Sequence, residues 1–523
     1  MKLSEIIIKE AILMQMKAQN RRDAILELLD SLCVAGRISK KDEILERLDA
    51  RERAGTTGIG DGVAIPHAAS PGLHQPMIAV GKSSAGIDFH SQDGKPANLI
   101  FMILVPEQGI GLHLRLLAHI THMLGTPGFI ELLNSSKTPS EIITAFKEKE
   151  HEIGEMHRPD DLPKICVVGA GNGGLATAAH CSLLGCKVRL FNRSKERLDA
   201  IKINEGIYAV GEVHGFAKIH ITTTDPKEGV ENADVIMVVT PATAHRDIAN
   251  LIGPHLTDGQ IVILNPGRTG GALEFADVLR RLKLSTRPYI AEAETLLYAC
   301  RVTNPAQVNI FAVKNSVPLA TIPAYYIPDV LPTIRKVFPQ FVPGDNVLKT
   351  SFSNIGSVFH PALTILNAAW IEERHGDFNY YHEGASPSVA KVLEALDAER
   401  VAVAAALGIK VPTAREWLYL AYGSAGNNLY DAMQANSGYS GIKAPNSLEH
   451  RYVTEDVPTS LVPIASFGDH LNVPVPTIKA FIHIANILHK RDYFKEGRTI
   501  ESLGLSGMTV KEIRRLVEEG KAK

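Results

Sequence analysis

The chain has 523 residues, 45% of them hydrophobic and 21% charged, and 55 Lys and Arg stand against 57 Asp and Glu for a net charge of −2. That length suffices for three or four domains with packed cores, and the composition excludes a disordered chain, a collagen or a long coiled coil. So even a charge balance offers no field to nucleic acid or an anionic membrane, which leaves small molecules and proteins as the expected partners.

No apolar run reaches the ~20 residues that a membrane span needs. The opening MKLSEIIIKEAILMQMKAQNRRD lacks a signal peptide's cleavage region. Cys33, Cys166, Cys181, Cys186 and Cys300 form no C-x-x-C pair, so reduced thiols, a cytoplasmic location and no metal site are expected. A homo-oligomer is compatible with the sequence.

Helical periodicity in RRDAILELLDSLCVAG and KKDEILERLDARE gives way to β-like runs, PMIAVGKSSAGIDF and NLIFMILVP, and then to HLRLLAHITHMLG. These elements predict an α/β domain over 1–148. The charged, proline-containing stretch KEKEHEIGEMHRPDDLP, Lys147 to Pro163, reads as a linker centred on 149–161. Next, KICVVGAGNGGLATAAHCSLLGCKVRLFNRS alternates strand, glycine-rich turn, helix and strand. With KIHITTT, ADVIMVVTPA, IVILNPG and PYIAEAETL it predicts a Rossmann-type doubly wound parallel sheet over 162–345. Long helical patterns fill the remainder, predicting an all-α domain over 346–523.

Three places carry chemistry. GTTGIGDGVAIPHAAS sets His67 after Pro66, behind Gly55, Gly58, Gly60 and Gly62, in what reads as a tight loop. A neutral imidazole held there can attack a phosphoryl group if cations such as Arg51 or a second histidine such as His113 stabilise its oxygens. On the isolated residues alone, an ordinary loop histidine is the commoner reading, and it is the wider pattern that favours the phosphoryl acceptor. The second place is G-A-G-N-G-G, with Gly169, Gly171, Asn172 and Gly174 between a strand and a helix, where backbone can approach a pyrophosphate and the helix N-terminus can hold it. The following strand ends in Asn192, Arg193, Ser194 and Lys195 with no acidic ribose reader. Arg193 therefore favours the 2′-phosphate of NADPH over NADH. The third place is His360, before Pro361 at an expected helix start, with Arg451, Glu455 and Asp456 in a loop-like stretch far downstream. Hydride transfer to C=N or C=O needs such a proton donor and a carboxylate anchor.

ARERAGTTGIGDGVAIPHA and GLHLRLLAHITHML resemble the enzyme IIA domain of the fructose/mannitol and nitrogen-regulatory class of the bacterial phosphotransferase system. The resemblance implies a phosphorylated His67 with His113 and Arg51 beside it, and a histidine-containing phosphocarrier protein as partner. Ala69 and Asp61 depart from the pattern and lower the local positive potential. GAGNGGLA, NPGRTGG, AETLLYACR, the HP before LTILNAAWIE, and GIKAPNSLEHRYVTEDVP with GRTIESLGL resemble the opine dehydrogenases of octopine/nopaline type. That resemblance implies a Rossmann domain followed by a helical one, and reductive joining of an amino acid's amine to a 2-oxo acid with NADH or NADPH. It further implies His360 as general acid/base, Asp456 as its orienting carboxylate, Arg451 as clamp for the 2-oxo acid, and Arg268 and Thr295 in the substrate cleft. Two rival readings stand beside it: a 2-oxo acid or hydroxy acid dehydrogenase that uses no amine, and a phosphorelay protein that senses nucleotide without catalysis.

Overall fold

The computed structural model describes residues 3–521, apart from 55, 71, 74, 92, 107–111 and 156–161, and apart from the side chains of 54, 112–115, 118, 122 and 151–155. The chain divides into two compact units, Met1–Asp160 and Asp161–Lys523. In the first, the expected runs form Met77–Ile87 and Ala97–Pro106, antiparallel partners at the centre of a mixed sheet. Ile7–Leu13 pairs parallel to Met77–Ile87 on one side. On the other, Val63–Ala64 and His67–Ser70 both pair parallel to Ala97–Pro106. Leu99, Phe101, Ile103 and Val105 alternate with Ile100, Met102 and Leu104 across the two faces, each covered by its own apolar cluster. Both faces being buried explains why NLIFMILVP is apolar without a polar alternation. The acidic and basic stretch read as a linker is helical as far as Glu155, within the helix Pro139–Glu155, because its Glu and Lys residues are good helix formers; residues 156–161 lie outside the described residues.

In the second unit an eight-stranded sheet runs in the order Ile221–Thr223, Val188–Phe191, Ile165–Val168, Val235–Val238, Ile261–Leu264, Tyr289–Ala293, Val317–Ile322, Phe341–Pro343. The first six strands are parallel, and Val317–Ile322 is antiparallel to Tyr289–Ala293. A four-stranded sheet that the sequence reading did not single out joins Gly206–Gly211, Gly215–Lys218, Tyr298–Asn304 and Gln307–Val313. Beyond 346 the described residues hold helices and an isolated bridge between Asn379 and Lys443. One apolar cluster runs unbroken from the parallel sheet (Val168, Ile236, Leu264) into the helical part (Leu363, Leu396, Ile464). Sheet and helices therefore share one core, and ligands of such sheets bind outside the carboxyl ends of the parallel strands.

Candidate functional site

The glycine-rich turn follows Ile165–Val168 and opens the helix Asn172–Leu183, as expected. Gly169 has φ 114, and a Cβ on Gly174 would lie 1.8 Å from the Gly169 carbonyl oxygen. Backbone thus packs on backbone here, and the first N–H groups of the helix stay bare for an anion. Asn192 braces the turn: its Oδ1 accepts from the Ala170 N–H at 3.0 Å and its Nδ2 donates to Ser194 O at 2.9 Å. Asn172 Oδ1 accepts from the Val302 N–H at 2.9 Å, tying the turn to the second sheet. Arg193 is exposed and lies 3.5 Å from Asp247. Sequence reasoning passed over Arg197, whose Nη1 approaches to 3.7 Å of a Cβ placed on Gly171. Its four-residue spacing from Arg193, across a helix start, was the available signal.

His360 does not begin a helix; it lies in the middle of Gly356–Leu366, with Pro361 inside. Gly356 to Phe359 already turn helically, so the proline costs a hydrogen bond to the preceding turn. The His360 carbonyl accepts from the Thr364 hydroxyl at 2.7 Å and the Tyr380 hydroxyl at 2.9 Å. The stretch expected to be loop-like is helical as well: Arg451–Thr454 leads through a π-helical turn, Val457–Leu461, into Val462–Leu471. Such turns insert a residue and redirect side chains, and they recur at functional sites. Here the turn directs Asp456, which is fully buried, to His360: Oδ2 accepts from Nδ1 at 2.9 Å. Tyr452 stacks on the imidazole, with centroids 4.1 Å apart and planes 14° apart.

Asp456 Oδ1 is shared by Arg268 Nη1 at 3.2 Å and the Ser460 hydroxyl at 3.3 Å. Burial alone would raise the Asp456 carboxyl, but Arg268 and His360 outweigh it and hold it below the usual carboxylate range. Arg268 also lies 3.6 Å from Glu455, and its Nε–H is buried without a hydrogen-bond partner. Its backbone is left-handed at φ 58, a conformation that non-glycine residues seldom adopt. The fully buried Arg498 holds that shape, donating to the carbonyls of Gly267 and Thr269 on either side of Arg268 at 3.0 Å each. Arg451 is exposed and pairs with Glu455 at 3.3 Å. Thr295 is placed apart from this group, just past the end of Tyr289–Ala293, where its hydroxyl accepts from Lys314 Nζ at 2.6 Å.

In the first unit, His67 is the first residue of a strand rather than a loop residue, since His67–Ser70 pairs with the edge left open at Ile103–Pro106. Its Nε2 accepts from Arg51 Nε at 3.0 Å, and its Nδ1 faces Ile65 O at 2.9 Å. An arginine can only donate, so Nε2 is the lone-pair nitrogen and Nδ1 carries the proton. His113 begins the helix Leu112–Leu124, and its side chain lies outside the described residues. Among the described residues no group of three or more His, Cys, Asp or Glu is arranged to hold a metal, and no helix is long and apolar enough to cross a membrane.

A dinucleotide turn on a parallel sheet followed by a helical domain gives the second unit the fold of an NAD(P)-dependent oxidoreductase. Residues 164–270 match the model of the NAD-dependent glycerol-3-phosphate dehydrogenase N-terminus, 343–489 that of the NAD/NADP octopine/nopaline dehydrogenase alpha-helical domain, and 5–149 that of the phosphoenolpyruvate-dependent sugar phosphotransferase system EIIA 2. The opine dehydrogenase of Arthrobacter sp. (strain 1C) is 42% identical over 353 residues, 67% of this chain and 98% of the relative. The fructose-specific EIIA component of Haloferax volcanii is 40% identical over 122 residues, 23% of this chain and 79% of the relative. A solved octopine dehydrogenase with NADH and L-arginine superposes with a TM-score of 0.57 at 21% identity, covering 67% of this chain and 97% of that one, a likeness of fold. The chain belongs to the opine dehydrogenase family and carries a phosphotransferase IIA-type domain ahead of the dehydrogenase.

Proposed function

We propose that this protein joins the amine of an amino acid to the carbonyl carbon of a 2-oxo acid by NAD(P)H-dependent reduction, and that its first domain accepts a phosphoryl group at His67. The observation that carries the first part is the His360–Asp456 pair, 2.9 Å apart, with Asp456 fully buried. The family of the Arthrobacter relative supports it. When bound, the dinucleotide supplies a hydride to the carbon of the C=N bond. Asp456, kept ionised by Arg268, fixes the proton of His360 on Nδ1 and leaves Nε2 to exchange protons with substrate. As the C–N bond forms, the carbonyl oxygen departs as water, taking one proton from the amine and one delivered through His360. Arg451, exposed at the mouth, offers a two-donor fork to the 2-oxo acid carboxylate. Arg268 spends its guanidinium on Asp456 and Glu455 and so orients the pair. Arg193 and Arg197, with no acidic residue at the strand end, favour a 2′-phosphate and hence NADPH over NADH.

For the first domain, the Nε2 lone pair attacks phosphorus on a phosphohistidine carrier protein. One P–N bond breaks on the carrier and one forms on His67, while the Nδ1 proton stays on Nδ1, donated to Ile65 O, and Arg51 meets the transferred oxygens. The dehydrogenase reading is tested by NADPH oxidation by the full chain over a matrix of amino acids and 2-oxo acids. Oxidation is expected only when both are present. Equal oxidation without any amine would establish the hydroxy acid dehydrogenase reading instead.

A further inference from the structure

Resting on the amine-joining reaction proposed above, we infer that Lys314 is the residue that binds the carboxylate of the amino-acid substrate. A product that joins two acids through one nitrogen carries two carboxylates, and each needs a cation in a cleft that excludes water. Arg451 is assigned to the 2-oxo acid. Arg268 is engaged by Asp456 at 3.2 Å and Glu455 at 3.6 Å. Lys314 is a further buried cation, within electrostatic reach of Arg268. It follows the strand Gln307–Val313, its backbone N–H donates to Leu297 O at 2.8 Å, and its ammonium donates to the neutral Thr295 hydroxyl at 2.6 Å. That leaves further N–H bonds of the ammonium for an anion.

The surroundings set this ammonium near the nucleotide turn. Thr295 and Leu296 lie just past the carboxyl end of Tyr289–Ala293, and Leu296 packs against Gly173 of the nucleotide turn, 3.1 Å from where its Cβ would stand. Glu294 stands on the same segment. Burial raises the Glu294 carboxyl to about 7, with Lys314 opposing, and burial lowers the Lys314 ammonium to about 8, with Glu294 opposing and Arg268 adding to the fall. Perturbed, interacting groups in a cleft mark a binding or reacting place more often than a structural one. The class of ligand is an α-amino acid rather than a simple amine, because only a carboxylate accepts a charge-assisted hydrogen bond from the Lys314 ammonium.

The test uses the full chain with pyruvate, NADPH and matched probes: L-phenylalanine against phenethylamine, L-arginine against agmatine, L-alanine against ethylamine. A charge-assisted hydrogen bond of ~1.5–3 kcal/mol predicts that wild type favours the amino acid of a productive pair by at least about ten-fold in kcat/KM. In Lys314→Gln that ratio falls to about one, the pyruvate KM moves less than about two-fold, and Lys314→Arg restores part of the preference. A ratio unchanged in Lys314→Gln overturns the assignment while leaving the reaction standing. Equal losses for both amines, pyruvate and NADPH binding overturn it in favour of a structural lysine. Wild-type oxidation that ignores every amine overturns it together with the reaction on which it rests.

Discussion

His360→Ala removes the atom assigned to proton exchange, and Asp456→Asn replaces the carboxylate that fixes its proton. Both are expected to lower kcat by about 10²–10⁴-fold, with NADPH affinity, measured by fluorescence titration, changing less than about two-fold. Wild-type turnover in either variant contradicts the assignment. A pH effect belongs to Lys314, which faces Glu294, Arg268 and Thr295. Its ammonium form binds a carboxylate, and its folded value is depressed to about 8. Rising pH through 8 therefore raises the amino-acid KM of wild type, and the same series in Lys314→Gln is expected to lack that step. At this scale the sequence was legible where a side chain sits in a distinctive neighbourhood, as with His360 before Pro361 or Asp456 before a proline-containing run. It was not legible for Arg268, whose role as the second partner of Asp456 depends on a left-handed backbone held by Arg498 from the far end of the chain. Lys314 gave no signal either, being a single lysine behind a strand that had not been recognised.

Among elements, the nucleotide turn is the most constrained. Gly174→Ala would put a methyl group 1.8 Å from the Gly169 carbonyl oxygen, so the variant is expected to lose NADH and NADPH binding together. Arg193→Ala and Arg197→Ala, by contrast, remove only a guanidinium and are expected to weaken NADPH by about ten-fold more than NADH, since a charge-assisted bond is worth ~1.5–3 kcal/mol. Calorimetric titration of both cofactors checks the pair of statements, and equal losses in the arginine variants would remove the NADPH preference. The parallel strands and long helices were readable because their apolar periods are unbroken over whole elements. The second sheet was not, because Tyr298–Asn304 is largely exposed and the pairing of Gln307–Val313 with Gly206–Gly211 lies far off in sequence. Nor does any local pattern announce the π-helical turn that brings Asp456 to His360; the spacing of Glu455, Asp456 and Pro458 suits an ordinary helix start as well.

For the whole molecule, the two units bring together a phosphotransferase IIA-type fold and a dehydrogenase fold in one chain. Phosphorylation of His67 would add about −1.5 to −2 charges at pH 7. Incubation with the phosphorylated histidine-containing carrier is expected to add one phosphoryl group to wild type and none to His67→Ala, as read by intact mass, and the modified chain is expected to differ from the unmodified one in dehydrogenase rate. No added mass on wild type would leave the first domain a phosphate-binding fold without acceptor chemistry, and identical rates would separate the two activities. This division into two folds was legible from motifs alone, because each half carries its own glycine-rich turn with its own histidine.

The central claim is that the dehydrogenase makes a carbon–nitrogen bond between two acids. Its most direct measurement is the mass of the product formed from ¹⁵N-labelled amino acid, unlabelled pyruvate and NADPH. The account predicts one secondary amine that retains the ¹⁵N label and contains both carbon skeletons, with mass equal to the two substrates less water plus two hydrogens. Recovery of unlabelled lactate, with the labelled amino acid unchanged, would contradict it.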